Sequence, residues 1–178
     1  HRLDKETSGL LLVAKNDMTL RKLQKLIHDH EVEKTYLTLV IWEPKNHTGT
    51  IKSVIGRDPN NRTKMTIKNP IEWREAVTHY TVSEVFEYEG KKLSLVEVTL
   101  ETGRTHQIRV HMANIGHPVL GDKTYGIESE NEWAKKHLWL ERQFLHAWKL
   151  HFILENNVWE FEAPLKQDIK RALKVLKG

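Results

Sequence analysis

AVTHYTVSEVFEYEGKKLSLVEVTLE, residues 76–101, decides the fold class. Ala76 to Tyr88 and Lys92 to Glu101 are dense in β-branched and aromatic residues, and Glu89-Gly90 between them suits a tight turn. The stretch therefore predicts an antiparallel hairpin. Upstream, Val32 to Trp42 reads as another strand. One of its faces holds Val32, Lys34, Tyr36, Thr38 and Val40; the other holds Glu33, Thr35, Leu37, Leu39 and Ile41. The second set is the more apolar and is predicted to face the core. Two short strands, Thr50 to Ile55 and Lys64 to Lys68, flank the turn-rich segment Arg57-Asp58-Pro59-Asn60-Asn61-Arg62. Phe144 to Leu154 and Val158 to Glu162 predict a last hairpin across Asn156-Asn157, and the apolar run Leu10 to Ala14 a short buried strand.

Helices are interspersed without a regular beat. Asn16 caps one predicted over Asp17 to Asp29, with Leu20, Leu23 and Ile27 on one side. After Thr102-Gly103 the period changes, and Ile108, Met112 and Ile115 mark a helix that Gly116 can end. A basic closing helix follows Ala163-Pro164, over Asp168 to Leu176. Strands gathered in neighbouring hairpins predict an α+β fold with a largely antiparallel mixed sheet flanked by helices. No repeat or Gly/Ser linker divides the chain, so residues 1–178 are read as one domain. The chain starts His1-Arg2-Leu3-Asp4 without an initiator methionine, and is expected to be a fragment lacking its N-terminal part and strands.

Composition narrows the chemistry. The absence of cysteine excludes a disulfide scaffold, Cys-ligated zinc, iron–sulfur clusters and thiol nucleophiles. No apolar run approaches the roughly 20 residues of a spanning helix. The net charge of +4 permits a polyanionic partner without establishing one. Polar chemistry concentrates in two places. Gly103-Arg104-Thr105-His106-Gln107-Ile108-Arg109-Val110-His111 sets cations at a helix start, which suits either an anion site or a solvated cap. His1 to Gly9 carries Asp4 on a predicted loop, where a carboxylate serves either as base or nucleophile or as a turn cap.

Together the two stretches carry a likeness. HRLDKETSGLLLVAK (1–15) resembles the signature HRLDxxTSGLLLxAK of the RluA-type pseudouridine synthases, and GRTHQIRVHMANIGHPVLGD (103–122) resembles that family's later motif. EKTYL (33–37), RDPNNRTKM (57–65), LHAWKLHF (145–152) and APL (163–165) follow in the family's order. The resemblance implies the pseudouridine synthase catalytic fold and an enzyme that isomerises uridine in ribosomal or transfer RNA. It implies no metal or other cofactor, a flipped target base, a cytoplasmic location and a monomer.

It also implies roles for residues. Asp4 is the catalytic carboxylate, acting at C1′, at C6 of the base or on the C2′ proton. Arg109, the arginine of HQIR, is its counter-ion; at about 4 Å and an effective dielectric near 20 their attraction is roughly 4 kcal/mol before desolvation. Tyr36 stacks on the uracil and takes part in proton transfer at C5, where the residue pattern alone would allow a half-buried strand aromatic. Arg2 fills the place of the extruded base. Arg57, Arg62 and Lys64 clamp RNA phosphates or form an exposed hairpin tip, and Arg104 and Gln107 line the cleft.

Three other classes fit the residues less well. A metal hydrolase needs paired ligands, but His28 and His30 are two apart on a helix end and His106 and His111 are five apart. A non-catalytic RNA-binding module would have little use for Asp4, Tyr36 and Arg109 together. A glycosidase needs a second acid, and only Glu6 lies near Asp4.

Overall fold

The computed structural model describes residues 1–178. Its elements run β1 (Ser8–Gly9), α1 (Asp17–His28), β2 (Glu33–Ile41), β3 (Thr48–Arg57), β4 (Met65–Thr66), β5 (Ile71–Tyr88), β6 (Lys91–Leu100), α2 (Gln107–Asn114), α3 (Glu128–Leu138), β7 (Leu145–Leu154), β8 (Asn157–Glu162) and α4 (Gln167–Lys177). All strands belong to one sheet, ordered β1-β7-β2-β6-β5-β3-β4, with β8 paired to β7. Every pairing is antiparallel except that of β1 with β7. The predicted α+β architecture is the one observed.

The hairpin over 76–101 forms as expected, with Tyr88 opposite Lys91. Glu89 and Gly90 both take positive φ (46° and 73°), the twist that a two-residue hairpin turn requires. The last hairpin is displaced by one residue from its predicted turn. Glu155 and Asn156 carry the positive φ values, and Asn157 is already paired with Leu154.

β2 lies between β6 and β7, and from Tyr36 to Ile41 the residues of both its faces are buried. Leu37, Leu39 and Ile41 pack with Leu93, Leu95 and the inner residues of α3 and α4. Tyr36 and Val40 pack on the opposite side with Val96, Val98 and Ile108 and Met112 of α2. The expected division of this strand into one core face and one outer face is therefore corrected. Periodicity reports a half-buried strand, whereas a central strand covered by helices on both sides buries both parities.

The Leu10 to Ala14 segment is corrected as well. Only the Leu10 N–H continues the ladder, to the Ala147 carbonyl, and Leu11 and Val13 are exposed. Leu10, Leu12 and Ala14 pack toward Leu23, Leu150 and Phe152 instead. From Lys149 onward β8 pairs with β7, so the segment has no edge to join there.

α3 has no counterpart among the elements expected from the sequence. Its inner stripe includes Glu130, buried and ion-paired to Lys91 at 2.7 Å, alongside Ala134 and Leu138. A carboxylate in the middle of the apolar stripe hides the helical period.

Candidate active site

The HRLD loop is strapped to the chain entering β7. Gln143 donates to the Lys5 carbonyl at 2.7 Å, and Arg142 donates to the Glu6 carbonyl at 2.7 Å while its guanidinium forks onto Asp168. Glu6 sits at φ 70°, a conformation costly for a non-glycine residue and fixed here by the Arg142 contact. Gly9 then lets β1 close on β7; a Cβ there would collide with the Ala147 carbonyl. These contacts place Asp4 beside α2.

There the Asp4 Oδ2 lies 3.4 Å from the Arg109 Nη1, so the two residues expected to pair do meet, 105 positions apart in sequence. The principal partner of Arg109 is a different carboxylate. Its Nε and Nη2 donate side-on to Asp122 at 2.7 and 2.9 Å, and Asp122 is fully buried. Asp122 also accepts from the backbone N–H groups of Thr124 and Tyr125, and the turn that presents it depends on Gly121 at φ 79°. Burial works against the Arg109 charge. The hydrogen bonds and charge of Asp122, with a smaller contribution from Asp4, nevertheless hold its pKa above the ordinary value. Asp122 thus fixes the guanidinium in orientation, and Asp4 receives one of its remaining donors. The other carboxylate oxygen of Asp4 accepts no hydrogen bond from the protein.

Asp4 and Tyr36 line a groove of about 740 Å³, together with Arg2, Arg104 and Ile108. Tyr36 is buried, and burial, with the nearby Asp4 charge, pushes its phenol up to about 12. At neutral pH it is therefore a donor, not a phenolate. Beside Arg109 the Tyr125 ring lies 5.1 Å from the guanidinium carbon. The Tyr125 hydroxyl accepts from the Met65 N–H and sits 2.8 Å from the Nδ1 of His106. Burial lowers the His106 pKa.

A second depression of about 580 Å³ shares Arg2, Arg74 and Arg104 with the groove and adds Arg57 and Arg62. Lys64 is half-buried and lines neither. Gln107 touches the groove but is 2% exposed, and every polar atom of its amide is engaged inside the protein. Its oxygen accepts from Thr102 and the Arg104 N–H, and its nitrogen donates to the Val77 carbonyl and Thr78. Its expected contact with RNA is corrected to a structural one, since a satisfied buried amide has nothing left to offer. No group of three or more His, Asp or Glu side chains is placed to hold a metal ion.

The Gln107 network continues inward: Thr78 to the Nδ1 of His111, and the Nε2 of His111 to Ser53, each at 2.8 Å. Burial pushes the His111 pKa down to about 4 from the ordinary 6.5. The unfolded chain therefore binds the extra proton between those values, so stability falls as pH drops from 6.5 toward 4, by about 3 kcal/mol from this residue. Denaturant melts of wild type and His111→Gln at pH 7 and 4.5 check this. The variant should lose less stability on acidification, and equal losses would refute it.

Asp122, Tyr125, Arg74, Arg142 and Gln143 are site residues that sequence reasoning missed. Asp122 stands inside the quoted later motif, but a turn aspartate carries no local mark of its arginine partner.

The groove thus brings together a carboxylate with one free oxygen, an arginine anchored from behind and a cationic margin. The sequence profile described as RNA pseudouridylate synthase matches residues 1–114, and the chain belongs to that family. It is 43% identical over 178 residues to an uncharacterized RNA pseudouridine synthase of Chloroflexus aurantiacus, covering 99% of this chain and 52% of the relative. It is 40% identical to ribosomal large subunit pseudouridine synthase D of Zymomonas mobilis, over 99% of this chain and 55% of that protein. The chain thus spans about half the length of the curated relatives it matches. Among solved structures, human RNA pseudouridylate synthase domain containing 1 superposes with a TM-score of 0.81 at 30% identity, covering 99% of this chain and 78% of that one.

Proposed function

We propose that this chain carries the isomerase centre of an RNA pseudouridine synthase. The observation that carries the reading is the Asp4 carboxylate, which opens on the groove with one oxygen free while Arg109, fixed by Asp122, holds the other. In the proposed reaction the bond from uracil N1 to ribose C1′ breaks, the base turns, and a bond forms from C5 to C1′. The proton leaves C5 and N1 gains one, so substrate and product are isomers and no cofactor is consumed. Asp4 acts on the sugar or the base. Tyr36 stacks on the uracil, and its hydroxyl takes part in passing on the proton that leaves C5. Arg2, exposed at the groove mouth, fills the gap left by the extruded base.

The substrate is structured RNA, ribosomal or transfer, and the name of the Zymomonas relative favours the large ribosomal subunit. The protein acts in the cytoplasm as a monomer. Incubating the intact protein with unmodified ribosomal and transfer RNA and measuring pseudouridine by mass spectrometry tests the reading. No product on either RNA would overturn it.

RNA crossing from the groove into the second depression would pass Arg57 and Arg62. Converting both to Ala should weaken RNA binding and reduce the slope of log K against log salt by about 0.7 for each phosphate that is no longer neutralised. Lys64→Ala should change it less. Equal slopes for wild type and the double variant would return these arginines to an ordinary exposed hairpin.

A further inference from the structure

Lys34 stands two residues before Tyr36 on β2 and also lines the groove. It is 5% exposed, as buried as many apolar core residues, yet it makes no ion pair or side-chain hydrogen bond. Desolvation is the only influence on its pKa, which it lowers; no opposite charge offsets it. The amine is not sealed in, because the only fully enclosed side-chain polar atom without a partner is the Oε2 of Glu130. Its opening is therefore the groove it lines. Such a cation is disfavoured in the free protein, since it is partly desolvated and no opposite charge faces it.

We propose that Lys34 binds a backbone phosphate directly flanking the reacting uridine, so that the substrate supplies the anion missing from the free protein. This rests on the isomerase reading and adds a substrate contact to it. A base carbonyl would be an insufficient partner, because a neutral acceptor does not balance a buried ammonium, and the phosphates are the only anions RNA has to bring. The placement suits it: two residues along a strand span about 7 Å, so a nucleotide stacked at Tyr36 would bring its own backbone toward Lys34. Three carboxylates line the groove, Asp4 beside Arg109, Glu101 beside His79 and Glu75 without an ion pair, and none of them is paired with Lys34.

The test uses the intact protein and a short hairpin RNA with a single uridine, in its loop. Methylphosphonate replaces in turn the phosphate 5′ and 3′ of that uridine, removing one charge each time. A charge-assisted contact of this kind is worth roughly 10- to 100-fold in affinity. Lys34→Met should weaken binding by that factor. One of the two methylphosphonates should weaken wild-type binding similarly but change Lys34→Met binding by no more than about twofold, whereas Lys34→Arg should retain the coupling. Without RNA, Lys34→Met should melt at or above the wild-type temperature, because an unpaired buried cation has been removed. Losses that multiply in full at both positions, wild-type affinity in Lys34→Met, or a lowered melting temperature would each overturn the inference. Failure of the isomerase reading would appear separately, as absence of pseudouridine with wild-type protein.

Discussion

Asp4→Asn is expected to remove pseudouridine formation by at least about a thousandfold while leaving RNA affinity within a few fold. That factor corresponds to about 4 kcal/mol of barrier. The substitution keeps the shape of the side chain and an oxygen that can accept from Arg109 at the 3.4 Å contact. What it takes away is the charge and the electron pair that a base or nucleophile must supply. Folding should survive, because Arg109 retains its two bonds to Asp122. The measurement is single-turnover product formation beside equilibrium RNA binding. Turnover near the wild-type rate would remove Asp4 from the chemistry and return it to a loop residue held by Arg142 and Gln143.

Asp122→Ala should be the most damaging single change to stability around the site, costing about 3–5 kcal/mol. It strips the buried guanidinium of its two-point partner and leaves only the longer contact to Asp4. It also leaves the Thr124 and Tyr125 N–H groups without their acceptor. The expected consequence for function is indirect: Arg109 turns toward Asp4, and the free carboxylate oxygen is drawn out of the groove. Asp122→Asn, which keeps one acceptor, should fall between Ala and wild type. Urea unfolding checks the first effect and turnover at a temperature where the variant remains folded checks the second. Because the pair is buried, the stability difference should persist at high salt. Unfolding free energies within about 1 kcal/mol of each other would show that Asp4 alone can hold Arg109.

Much of this site was legible because its residues lie in short contiguous motifs. HRLD and HQIR could be assigned as partners through their resemblance to the family, and the distance between Asp4 and Arg109 agrees. Neither Asp122 nor Gln107 could be placed correctly that way. Gln107 reads as a polar groove residue, and only the positions of Thr78, Thr102 and the β5 backbone reveal that its amide is used up. Lys34 reads as an ordinary charged residue on an alternating strand, and its burial follows only from the tertiary packing around β2.

Local chemistry in the sequence was enough to determine the hairpins, the Asn16-capped helix and the α+β class, because turn residues and side-chain periodicity act over a few positions. The tertiary structure decided which strand lies at the centre, whether Leu10 to Ala14 has an edge to pair with, and which carboxylate grips Arg109. Those outcomes depend on groups brought together from distant parts of the chain. Burial, which sets what each charge costs and needs, exists only once they have met.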